Sequence, residues 1–142
     1  MIKVYLASPF FNETEIEIME KVKEILRAKG LNVFAPFENQ NKHLEFGSKE
    51  WREATFSRDV AGIDIADVVV AIIDGNYCDS GTAWEIGNSV AKGKPVVVFN
   101  PTKNTVNLMI SDSLHAYIDS FEALEAYDFK TLDKITYDNY VW

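Results

Sequence analysis

Residues 67–73 read Asp67-Val68-Val69-Val70-Ala71-Ile72-Ile73, and from Val68 onward no polar side chain interrupts the run. A strand with one face in water alternates apolar and polar residues; one that is apolar on both faces belongs in the middle of a parallel sheet covered on both sides. Parallel neighbours need long crossover connections, usually helices. The flanking sequence supplies them. A helical segment spans about Lys49 to Ile65, and Asp79 and Ser80 are good N-caps for a helix that Gly93 closes. Pro95 to Phe99 then reads as the next strand.

The same alternation continues outward. Ile2 to Ala7 is a short β-branched run, after which Thr14 and Glu17 form a capping box for a helix with apolar Ile18, Val22, Ile25 and Leu26. Gly30 stops that helix, Leu31 to Ala35 reads as a strand, and Pro36 ends it before a polar stretch long enough to suggest function. A fifth strand falls at Ala116 to Ile118. The pattern predicts one domain over residues 1–142: an α/β, doubly wound, five-stranded parallel sheet of flavodoxin-like order in a three-layer sandwich. Such sheets bind ligands at the carboxyl ends of their strands, here the loops that begin at Ser8, Pro36, Asp74 and Asn100.

Composition narrows the chemistry. The 142 residues carry 14 Lys plus Arg against 22 Asp plus Glu, a formal net charge of −8, which argues against nucleic acid or an anionic membrane as partner. No apolar run approaches the ~20 residues of a membrane span and no leader pattern opens the chain, so a cytoplasmic protein is expected. One cysteine, Cys78, and two histidines, His43 and His115, exclude an internal disulfide and the usual zinc clusters. Neither metal nor cofactor is expected.

Asp79 to Gly87, Asp-Ser-Gly-Thr-Ala-Trp-Glu-Ile-Gly, places Glu85 near the positive end of a helix, with Gly81 one turn earlier leaving it uncovered. An ionised, uncovered carboxylate there is a candidate nucleophile; on spacing alone, a solvated helix residue at Glu85 with an ordinary loop glycine at Gly81 is at least an equal alternative. Gly87 would admit another element packed closely behind. Asp59 shares a helix stripe with Arg52, Thr55, Phe56 and Ile63, which points either to a half-buried acid of raised pKa or to an ion pair with Arg52 or Arg58. Phe10 and Phe11 suit stacking on a flat ring, and Asn39-Gln40 suits reading the edge of a nucleobase. Asp74 stands where receiver domains carry a phosphorylated Asp, but Ala7-Ser8-Pro9 lacks the acidic pair such domains need. The loop after the first strand also lacks the glycine of a flavin phosphate cradle, leaving a flavodoxin-like electron carrier or binding protein as a weak rival.

Tyr5-Leu6-Ala7-Ser8-Pro9-Phe10-Phe11, Glu38-Asn39-Gln40, Trp51 to Thr55 running on to Asp59 to Ile63, Asp79 to Gly87, and Asn107-Leu108-Met109 occur in this order. Together they resemble the nucleoside 2-deoxyribosyltransferases. The resemblance implies transfer of a 2-deoxyribosyl group between free nucleobases, taken from 2′-deoxynucleosides. It also implies Glu85 as nucleophile, Tyr5 holding it, Asp59 and Asp79 contacting and protonating the base, Gln40 reading its edge, and Asn107 binding the sugar 5′-hydroxyl. Phe11, Gly81 and Met109 complete the expected substrate-binding set.

Asn107 and Met109 would reach in from a neighbouring subunit, so the resemblance implies a homo-oligomer, a hexamer built from dimers or a dimer. Ser8-Pro9-Phe10 is similar to a purine-only subclass and Asn39-Gln40 to one that accepts purines and pyrimidines; the direct contact expected of Gln40 favours the broader one. The segment from Gln40 to Trp51 is short for a lid over the pocket, and Tyr140-Val141-Trp142 reads either as an aromatic end near the site or as a docked apolar tail. A nucleoside 5′-monophosphate N-glycosidase would share the fold and the Gly-x-x-x-Glu helix start, but Asn107-Leu108-Met109 is a poor phosphate site.

Overall fold

A computed structural model describes residues 1–142. Strands β1 (Lys3–Ala7), β2 (Asn32–Phe34), β3 (Val68–Ile72), β4 (Val96–Phe99) and β5 (Ala116–Ile118) form one sheet in the order β2-β1-β3-β4-β5. Every pair is parallel, and Leu6 registers with Val70, which in turn registers with Val97. The expected flavodoxin-like order is therefore present, with β3 in the centre and all five of its residues buried.

Helices α1 (Glu13–Ala28) and α5 (Phe121–Ala126) cover one face; α2 (Lys49–Ile65), α3 (Ser80–Ala91) and α4 (Leu108–Ser111) cover the other. The two-residue strand period divides the core accordingly. Val4 and Leu6 join a cluster of 19 buried residues under α1, while Tyr5 and Ala7 join one of 13 beneath α2 and α3. Each fully buried aliphatic side chain contributes roughly 1.5–3 kcal/mol, so these two clusters set the register of β1. Tyr5 is thereby committed to the α2 and α3 side.

The predicted α2 and β5 keep their bounds, and Asp79 caps α3 as expected. The start of α1 differs. Asn12, not Thr14, is the N-cap, its Oδ1 accepting from Glu15 N at 2.8 Å while the Glu15 carboxylate accepts from Phe11 N at 2.9 Å. The chain contains two overlapping frames of cap residue and Glu three positions on, and the earlier one satisfies two backbone donors that would otherwise lack partners. β2 is shorter than Leu31 to Ala35 because it is an edge strand pairing only with β1. A single 3-10 turn, Pro36–Asn39, follows it, pinned where Glu38 meets Lys23 at 3.2 Å and Arg27 at 2.5 Å. Helices α4 and α5 are too short to leave a 3.6-residue pattern in the sequence.

The C-terminal tail docks: Trp142 N donates to Val106 O at 3.0 Å, and Leu108 N to Trp142 O at 3.1 Å. No helix is long and apolar enough to cross a membrane.

Candidate active site

At the head of α3, Asp79 Oδ2 accepts from Thr82 N at 2.9 Å and from Thr82 Oγ1 at 3.1 Å, which fixes the helix start. Gly81 keeps the next position bare; a Cβ there would stand 3.2 Å from Asp79 Oδ2. One turn on, Glu85 turns toward the sheet, and the Tyr5 hydroxyl donates a hydrogen bond to Glu85 Oε2. The Tyr5 ring stacks on Phe34 with centroids 5.7 Å apart. Its other restraint is Gly62 of α2, where a Cβ would lie 3.0 Å from two Tyr5 ring carbons and 3.1 Å from Phe34. Sequence reasoning missed Gly62. Its signal was a glycine inside a helix, which costs about 1 kcal/mol and is kept where something approaches closely.

Gly81, Trp84 and Glu85 of α3 face Phe56, Asp59, Val60 and Ile63 of α2 across a cleft of about 340 Å³. Phe56 and Trp84 stand edge to face at its mouth, ring centroids 5.6 Å apart. Asp59 forms an ion pair with neither Arg52 nor Arg58, and Arg58 instead donates to Asn39 O at 3.1 Å. Of the two sequence alternatives for Asp59, the half-buried acid is the one present.

Burial pushes Asp59 up to about 6, against the opposing field of Arg58. Burial also pushes Glu85 up to about 7; the Tyr5 hydrogen bond opposes this, and the charges of Asp59 and Asp79 add to it. The helix dipole, worth about 0.3–1 kcal/mol, was expected to keep Glu85 ionised, but burial outweighs it. Burial, followed by the charge of Glu85, raises Tyr5, so it stays a neutral donor. Burial shifts both carboxyls toward the neutral form, and the charge of Asp59 adds to the shift of Glu85, which suits one to act as base or nucleophile and the other as acid.

The remaining candidates lie elsewhere in the chain. Gln40 is exposed and donates to Phe37 O at 2.8 Å, Asn39 donates to Ala35 O at 2.9 Å, and the 79% exposed Phe11 stacks on Phe10. None of these lines the cleft. Asn107 caps α4, accepting from Met109 N at 2.9 Å. With Met109 it lines a separate groove of about 500 Å³ between α3 and α4, on the opposite flank of α3 from the cleft. Gly87 borders that groove with nothing within 4 Å of a Cβ built on it, so the close packing expected there is absent within the chain. The tail lies beside Asn107 and away from Glu85.

A family model described as nucleoside 2-deoxyribosyltransferase matches residues 4–125. A nucleoside deoxyribosyltransferase of Limosilactobacillus fermentum is 32% identical over 89% of this chain and 86% of its own length. The solved structure of a 2-deoxyribosyltransferase from Bacillus psychrosaccharolyticus superposes with a TM-score of 0.91 at 50% identity, covering 95% of this chain and 98% of that one. A CMP N-glycosidase of Clostridium botulinum, at 22% identity and a TM-score of 0.64 over 87% of this chain and 96% of its own, shares the fold alone. With its sheet order, its motif series and these relatives in agreement, the chain belongs to the nucleoside 2-deoxyribosyltransferase family of enzymes.

Proposed function

We propose that this enzyme moves the 2-deoxyribosyl group from one nucleobase to another through a covalent intermediate on Glu85. The observation that carries the reading is the Tyr5 hydroxyl donating to Glu85 in a cleft that also holds Asp59. Tyr5 holds one carboxylate oxygen, and the other attacks the anomeric carbon as the glycosidic C–N bond breaks and its electron pair leaves with the base. Asp59, raised to about 6, is suited to give that base a proton, and Asp79 at the start of α3 is assigned to contact it. The incoming base then attacks the anomeric carbon from the vacated face, the Glu85–carbon bond breaks, and two inversions leave the configuration retained. Carboxyl groups and the two bases account for every bond and proton.

The cleft is open to solvent at the exposed Phe56 and Trp84, so a single chain leaves one side of a bound nucleoside uncovered. We therefore place Asn107 at the sugar 5′-hydroxyl and Met109 at the pocket wall of a neighbouring copy, in a homo-oligomeric dimer or hexamer. Supporting this, Leu108, Met109, Tyr140 and Trp142 form exposed apolar surface around Asn107. Gln40 and Phe11 are assigned to the base, with purines and pyrimidines both accepted, and the reaction to nucleotide salvage in the cytoplasm.

The test is chromatography of thymidine and adenine incubated with the purified protein. Deoxyadenosine and thymine are the expected products. Free deoxyribose with no exchange for any base pair would make the protein a hydrolase instead.

A further inference from the structure

Along α3 and its C-cap, Gly81, Trp84, Glu85, Asn88 and Lys92 recur at three- and four-residue spacing and so share one stripe. The first three line the cleft with α2, and Lys92 at the far end pairs with Asp64 of α2. Asn88 therefore lies between the cleft and that ion pair, on the face turned to α2. Its side-chain Nδ2 is buried and has no hydrogen-bond partner, the only such buried side-chain polar atom in the structure. An unmade bond of this kind costs about 1–3 kcal/mol, and native proteins seldom retain one without a use.

The nearest use is one turn away. Side chains three apart on a helix have Cβ atoms about 5–6 Å apart, and helix side chains lean toward the N-terminus, which brings the Asn88 amide over the turn that carries Glu85. We propose that Asn88 is a positioning residue for the nucleophile, its amide donating to the Glu85 carboxylate once that group is ionised for attack. This rests on the assignment of Glu85 above. Tyr5 of β1 holds one oxygen, and Asp59 of α2 and Asp79 at the start of α3 oppose the charge, with Arg58 acting only against Asp59. No side chain other than Tyr5 donates to the Glu85 carboxylate, and the two lysines beyond the end of α3 are engaged elsewhere, Lys92 with Asp64 and Lys94 with the carbonyls of Asp64 and Ala66.

The experiment is Asn88→Leu, an apolar near-isostere, in protein carrying glutamate labelled with carbon-13 at the side-chain carboxyl, the Glu85 signal being assigned by its loss in Glu85→Gln. The expected result has two parts. Denaturant unfolding gives a midpoint equal to or above wild type, because an unsatisfied polar group is replaced by an apolar one. The Glu85 signal and the acid limb of kcat/KM for exchange both move up by about one pH unit, the size expected for loss of a charge-assisted donor. Asn88→Ala gives the same direction should Leu prove too bulky to fold. A Glu85 titration identical to wild type in a folded variant overturns the proposal and leaves Asn88 a packing residue. Failure of the transfer reading is seen separately, as absence of exchange in the wild-type protein while the Glu85 signal still titrates.

Discussion

Tyr5 and Glu85, eighty residues apart in the chain, share one hydrogen bond: the buried phenol at the centre of β1 donates to the carboxylate of α3. Because Tyr5 is wedged between Phe34 and the bare Cα of Gly62, the bond direction is set by packing. Replacing Tyr5 by Phe keeps the ring and removes only the donor. Exchange should fall about 10- to 100-fold in kcat, the loss of one charge-assisted hydrogen bond, with KM changed far less. Steady-state kinetics on thymidine and adenine check this, and an unchanged kcat would free Tyr5 from the mechanism.

Glu85→Ala should abolish exchange in a protein that still folds, as read by circular dichroism alongside chromatography. Wild-type rates in that variant would remove Glu85 from the nucleophile role.

Stability should fall as pH rises toward neutrality, against the usual behaviour of carboxylates. Glu85 is raised from 4.5 to about 7 and Asp59 from 3.8 to about 6, so the folded protein binds protons more tightly than the unfolded chain. Their contribution is complete below about pH 4 and is lost as pH climbs through about 6 and 7. Glu85→Gln, uncharged at every pH, should flatten that slope and gain up to about 3 kcal/mol at pH 8. Urea midpoints at pH 5 and pH 8 for both proteins decide it.

Gly62→Ala should destabilise the fold even though alanine is the better helix former. The added methyl meets the Tyr5 ring at 3.0 Å, overpacking that costs about 1–3 kcal/mol against about 1 kcal/mol of helix propensity gained. Exchange should drop with it, since the displaced ring carries the hydroxyl that holds Glu85. A variant as stable and as active as wild type would show that α2 can lift away freely.

Two inactive variants offer a test of shared sites. Asn107 lies across α3 from Glu85 within one chain. If it serves a neighbour, mixing Glu85→Ala with Asn107→Ala and letting subunits exchange should restore activity that neither variant has alone. A mixture as inactive as its parts would confine Asn107 to capping α4.

Sequence by itself determined the sheet. Val68 to Ile73 is apolar on both faces, and such a strand is stable only between two parallel neighbours with helices above and below. The head of α3 was equally legible, because Asp79 as a cap, Gly81 as a gap and Glu85 one turn on are relations of a few residues. Gln40 and Asn107 could be named from motifs alone, but their neighbours could not, since spacing along a chain does not say which flank of a helix faces which cleft.

Tertiary structure alone decided the state of the carboxylates. Local rules weighed a helix dipole for Glu85 and an arginine partner for Asp59. Packing α2 against α3 instead stripped water from both groups, and desolvation in a shared cleft outweighs either local effect. Packing of α2 on the sheet pressed Gly62 onto Tyr5, and the assembled fold buried the Asn88 amide, two relations that no pattern in the sequence contains because each depends on the distance between elements joined through the sheet.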